Sequence, residues 1–148
     1  METLSPLGPV FHAGTLAGNP LATAAGRAAL KELTDDVYAE LGARAARLSE
    51  LLGGACAAAG IAARFPVTGT LVGMYFGSGP SPTNFAEAKT TDEQVYRTFF
   101  HAMLEEGIAL APGAYEALFV GLAHTDEVLD AIGEASGRAA TATANRLG

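Results

Sequence analysis

Cysteine is nearly absent from this chain: Cys56 stands alone among 148 residues, so no internal disulfide can form. Its alanine-rich, helical surroundings predict a buried, small apolar side chain in a reducing compartment. Lysine is almost as scarce, occurring only at Lys31 and Lys89. Basic clusters are missing too, since 9 Lys and Arg against 16 Asp and Glu give a net charge of −7 with the acids scattered. A chain with no basic stripe has little with which to neutralise a row of phosphates, which argues against nucleic acid as a partner. No apolar run approaches the roughly 20 residues that cross a bilayer. The N-terminus shows no basic stretch leading into an apolar one. Together these absences point to a soluble, cytoplasmic protein that meets neither membrane nor nucleic acid.

What the chain does contain is enough apolar material, 49% of its residues, for one ordinary domain with a core. Residues 1–20 hold three prolines and three glycines without periodicity and read as an extended segment between structural units. Asn19 as N-cap and Pro20 at the first helical position predict a helix over residues 21–33. Thr34-Asp35-Asp36 starts a second one, with Val37, Leu41, Leu48, Leu52 and Ala55 on one face up to Gly60. The pattern then switches to two β-branched and aromatic runs, 61–67 and 70–76, meeting at Thr68-Gly69. Residues 78–84 are loop by composition, and Thr91-Asp92 caps a helix with the stripe Val95, Phe99, Ala102 and Met103 that Gly107 ends. Residues 108–111 and 118–122 predict two further strands around Pro112-Gly113. Thr125-Asp126-Glu127 starts a last helix with Val128, Ile132, Ala135 and Ala139 inward, fraying after about residue 140 where large apolar side chains run out. This order, without internal repeats, predicts an α+β fold in which helices pack on one face of a small sheet.

The densest chemistry lies at Gly14-Thr15-Leu16-Ala17-Gly18-Asn19-Pro20, a small, donor-rich loop that opens onto a helix start. Glycine lets the backbone approach a ligand, Thr15 adds a hydroxyl donor, and the free N–H groups of the helix start favour an anion. The spacing matches neither G-x-G-x-x-G nor G-x-x-x-x-G-K-[ST], so by spacing alone an ordinary turn is the leading alternative. His101 and His124 have no second ligand at metal spacing, which argues against a zinc site. No G-x-S-x-G elbow supports a serine triad.

Two blocks in this order, residues 6–22 around Phe11-His12-Ala13-Gly14-Thr15 and residues 99–120 around Ala111-Pro112-Gly113-Ala114-Tyr115-Glu116-Ala117, resemble the glutamate-1-semialdehyde 2,1-aminomutases. These are fold-type-I pyridoxal-phosphate enzymes of the class-III aminotransferase group. The resemblance covers nearly the whole chain and implies the enzyme's C-terminal portion. Residues 1–20 would be the tail of the large cofactor-binding domain, and residues 21–148 the small α+β domain with its leading linker helix. It implies that Gly14 and Thr15 contact the phosphate of pyridoxal phosphate across a homodimer interface, and that Glu116 faces the substrate. The family's Schiff-base lysine precedes the part represented here, so the resemblance places no catalytic residue in this chain, and Lys31 and Lys89 read as surface charges. Phe11 departs from the family's tyrosine and removes a phenol near the neighbouring subunit's cofactor, while His12 offers a different donor. The implied activity is formation of 5-aminolevulinate for tetrapyrrole synthesis. A class-III aminotransferase of other substrate range remains an alternative, as does a non-catalytic dimerisation or folding module if the chain stands alone.

Overall fold

A computed structural model describes residues 2–148, which divide into two compact units, one ending at Asp35 and the other Asp36–Gly148. In the first unit a tight reversal brings Leu4 beside Val10, fastened by Gly8 N–H to the Leu4 carbonyl at 2.8 Å and Val10 N–H to the Thr3 carbonyl at 3.0 Å. Helix α1 (Pro20–Glu32) then begins where the cap signal sets it. Asn19 is extended, and its side-chain oxygen accepts the Ala22 N–H at 2.9 Å. No residue of α1 is buried.

The second unit owns the core. Helix α2 (Asp35–Ala58) buries Ala45, Leu48, Leu52 and Cys56 along one stripe. The Cys56 thiol is sealed in that stripe as expected, and burial pushes its pKa up to about 12. Gly60, at φ +73°, closes the helix: its N–H reaches the Ala57 carbonyl and the Ile61 N–H reaches Cys56, the paired bonds of a left-handed C-terminal cap. Helix α4 (Glu93–Glu105) ends the same way at Gly107, where Ile108 N–H returns to the Met103 carbonyl at 2.9 Å.

Between these helices the two sequence runs pair as an interrupted hairpin turning at Gly69. Strands β1 (Ala63–Arg64) and β4 (Tyr75–Phe76) form one antiparallel pair. Strands β2 (Val67–Thr68) and β3 (Leu71–Val72) join β5 (Leu118–Phe119) in a three-stranded sheet ordered β2-β3-β5. Val72, Met74 and Phe76 are buried at period two, and together with α2, α4 and the last helix, α5 (Asp126–Leu147), they form one apolar cluster. Helices therefore cover one face of the sheet, as the α+β reading expects, although the sheet is split in two. Phe76 sits at the centre, with ring centroids 5.4 Å from Phe99, 6.2 Å from Tyr96 and 6.5 Å from Phe65.

Three local expectations are corrected and one element is added. Residues 108–111 form no strand, because the segment leaves the α4 cap without a ladder partner and the Tyr96 hydroxyl takes the Ala111 carbonyl. A short helix, α3 (Phe85–Ala88), follows the Pro-rich loop, capped by Asn84, whose side-chain oxygen accepts the Glu87 N–H at 3.0 Å. Helix α5 does not fray after residue 140 but runs to Leu147. Its inner face holds Leu129, Ala135, Ser136, Ala139, Ala140 and Thr143, with Val128 turned outward. Small side chains let α5 lie close to its neighbours, and the buried hydroxyls are satisfied by carbonyls one turn back: Ser136 to Ile132 at 2.6 Å and Thr143 to Ala139 at 2.8 Å. Ion pairs at 2.6 Å, Arg138 with Glu106 and Arg146 with Glu105, tie α5 to the end of α4.

Candidate cofactor and substrate site

Gly14 and Thr15 lie in the first unit, on an exposed turn that leads into α1. The turn closes on itself through Ala17 N–H to the Gly14 carbonyl at 3.0 Å and Asn19 N–H to the Leu16 carbonyl at 3.2 Å. Glycine at 14 has a steric reason, since a Cβ there would come within 3.0 Å of the Ala17 Cβ. The Thr15 hydroxyl and the N–H groups of Thr15 and Leu16 have no partner among the described residues. A hydroxyl and two unpaired amides on one short exposed turn match the donor set that a phosphate dianion rewards. The residues present therefore fit a phosphate group, as neutral donors rather than countercharges. Phe11 and His12, just before the turn, are exposed as well, Phe11 at 81%.

Glu116 lies in the second unit, at the end of the Pro112-Gly113-Ala114-Tyr115 turn before β5. Its carboxylate is exposed and accepts no hydrogen bond among the described residues. Its N–H reaches back to the Gly113 carbonyl at 3.3 Å. The side chain folds over Gly113: a Cβ at 113 would stand 3.2 Å from the Glu116 Cγ and 3.4 Å from its Oε1. Beside the turn is a cleft of about 440 Å³ whose walls include Tyr96, Arg97, Phe100, His101 and Tyr115. Burial, and secondarily the Glu116 charge, raises the Tyr96 phenol above its usual pKa of 10. Tyr115 is raised as well, chiefly by its hydrogen bond to Glu93.

The histidines do not gather. His124 Nδ1 accepts the Gly121 N–H at 2.9 Å and closes the turn before α5, whereas His101 is exposed with its ring 5.2 Å from Phe100. No three His, Cys, Asp or Glu side chains among the described residues are grouped to hold a metal ion. No helix among them is long and apolar enough to cross a membrane. Lys31 sits in the last turn of α1, and Lys89 stands 5.5 Å over the Phe85 ring. Tyr96 escaped the sequence reading because a tyrosine within an apolar stripe gives no sign of where its hydroxyl points, and Tyr115 because an exposed turn residue gives no sign of its partner.

The fold is that of the α+β C-terminal domain of fold-type-I transaminases. A solved transaminase with pyridoxal phosphate bound superposes with a TM-score of 0.73 at 18% identity, covering 94% of this chain and 31% of that one. The β-phenylalanine aminotransferase of Variovorax paradoxus gives 0.71 at 29% identity, over 88% of this chain and 30% of its own. An ω-transaminase of Sphaerobacter thermophilus gives 0.64 at 22% identity, over 89% and 31%. In sequence, the chain is similar to glutamate-1-semialdehyde 2,1-aminomutase. It is 45% identical to the Laribacter hongkongensis enzyme over 140 residues, 94% of this chain and 33% of the relative. The Desulfosudis oleivorans and Leptothrix cholodnii enzymes are each 45% identical over 88% of this chain, which covers 30% and 31% of them. The resemblance read from the two sequence blocks is thereby borne out. The chain spans about a third of the length of these curated relatives. No family model matches it.

Proposed function

We infer that this chain is the C-terminal part of a pyridoxal-phosphate-dependent glutamate-1-semialdehyde 2,1-aminomutase, a cytoplasmic homodimer that forms 5-aminolevulinate for tetrapyrrole synthesis. The observation that carries the reading is 45% identity sustained over 94% of the chain. Pyridoxal phosphate, when bound, supplies the electron sink for moving an amino group between neighbouring carbons. The tasks left to this chain are binding and orientation. Thr15, through its hydroxyl and N–H, and the Leu16 N–H hold the phosphate, with Gly14 giving the turn its closeness. Glu116 presents a carboxylate to a substrate amino group and orients it. Phe11 can neither hold nor release a proton, so a proton carried at that position in tyrosine-bearing relatives must travel elsewhere. The cofactor-bearing lysine belongs to a segment preceding the part represented here.

A test is whole-chain mass spectrometry in the source cells after borohydride reduction, with peptides from residues 15–27 as the handle. Recovery within a polypeptide about three times this mass, bearing a lysine reduced onto the cofactor, is the expected result. Recovery only at 15.0 kDa contradicts it and leaves a binding or assembly role for a free-standing chain. Phe11 and the transaminase-like fold favour a second reading, a class-III aminotransferase of other substrate range. Net amino transfer to an added 2-oxo acid, in place of isomerisation of the semialdehyde, would select it.

A further inference from the structure

Two phenols outside the assigned residues converge on the turn that carries Glu116. Tyr96, in α4 and only 4% exposed, donates its hydroxyl to the Ala111 carbonyl at the start of the turn. Tyr115, at the far end, donates to the Glu93 carboxylate in the first turn of α4. The Tyr115 ring also meets the Phe85 ring of α3 edge-on, centroids 5.7 Å apart at 65°. Beyond these contacts and the packing of Ala114 against the core cluster, the turn has few hydrogen bonds of its own. Residues 108–117 take no part in a strand ladder, and within the turn only the long 3.3 Å bond from Glu116 N–H to Gly113 is present. A carboxylate on so lightly bonded a segment would have to be ordered each time a substrate bound, at a cost in conformational entropy. Both tethers run to α4, which is itself anchored in the core through Phe99, Ala102 and Met103.

We propose that Tyr96 and Tyr115 are positioning residues that clamp the 111–116 turn to α4 at both ends and so pre-set the Glu116 carboxylate for the substrate. The inference rests on the reading of Glu116 as a substrate contact. Burial first, and the Glu116 charge second, raise the Tyr96 pKa, so the carboxylate stands close enough to act on that phenol. The clamp acts by geometry and needs no proton transfer through either hydroxyl.

Two measurements test it. On the 148-residue chain, ¹⁵N relaxation should report rigid amides at Gly113 to Glu116 in the parent, with order parameters of about 0.85, falling below about 0.6 in Tyr96→Phe or Tyr115→Phe while α4 amides stay unchanged. Equal rigidity in parent and both variants overturns the clamp, and the exposed Tyr115→Phe variant keeps the test decisive should Tyr96→Phe fold poorly. In the cofactor-loaded full polypeptide, Tyr96→Phe should lower kcat/KM about tenfold, as for loss of one ordering hydrogen bond, and by less than about twofold when Glu116→Gln is already present. An equal loss in both backgrounds means the tyrosine does not act through Glu116 and overturns the proposal. If the parent polypeptide fails to isomerise the semialdehyde, the functional reading fails, and the relaxation result still decides whether the clamp exists.

Discussion

The unit ending at Asp35 and the unit that follows use apolar residues in opposite ways. In the second, Phe76, Phe99, Leu52, Met74 and Met103 are sealed in a common cluster. In the first, Leu7, Phe11, Leu16, Leu21 and Leu30 stand mostly in solvent, Leu21 at 84%, and α1 buries nothing. The second unit spends its sequence on a core that can hold a turn in place. The first leaves its apolar side chains on the surface beside the unpaired donors of the Gly14-Thr15 turn.

The widest separation between the units should appear in core truncation. Phe99→Ala is expected to cost about 3–5 kcal/mol in urea unfolding, against less than about 0.5 kcal/mol for Leu21→Ala. Similar losses at both positions would erase the contrast. Thr91→Val comes next. The Thr91 hydroxyl is buried and accepts the Phe76 N–H at 2.8 Å, so its loss strands a donor beside the central ring and should cost about 1–3 kcal/mol. Asn19→Ala should remove about 1 kcal/mol from α1 alone. Carbon chemical shifts should show the first turn of α1 fraying while the main unfolding transition stays put, and a shift of that transition would mean the units are coupled.

The smallest effect concerns α3. Hydrogen bonds from the Thr83 N–H and hydroxyl, and from the Asn84 amide, hold the Glu87 carboxyl below its usual pKa of 4.5. Because the folded value is the lower one, the stabilisation is complete above about 4.5 and is lost as pH falls through the folded value. Amide shifts of Thr83 and Glu87 followed from pH 6 downward should report a local loosening that leaves the core unmoved. Titration at or above the ordinary value would contradict the cap.

The sequence-level signals that held were local and chemical. Asn19-Pro20, Thr91-Asp92, Gly60 and Gly107 marked helix ends because each supplies or satisfies a specific backbone group. The β-branched and aromatic run 70–76 marked strand, and Val72, Met74 and Phe76 within it are buried. Where reading failed, the deciding interaction was tertiary. The end of α5 looked too small to pack beyond Ala139, yet Ala140 and Thr143 are buried because smallness permits close helix contact. Residues 108–111 looked like a strand until the Tyr96 hydroxyl claimed their last carbonyl. The role proposed for Glu116 came only from the resemblance, and neither spacing nor motif pointed to Tyr96 or Tyr115.

The proposed role of the Gly14-Thr15 turn, holding the cofactor phosphate, is tested by Thr15→Ala in the cofactor-loaded full polypeptide. The pyridoxal phosphate dissociation constant should rise by about five- to a hundredfold, as expected for loss of a charge-assisted hydrogen bond of about 1–3 kcal/mol, with Thr15→Ser restoring most of it. An unchanged dissociation constant in Thr15→Ala would contradict the assignment and return the turn to a purely structural role.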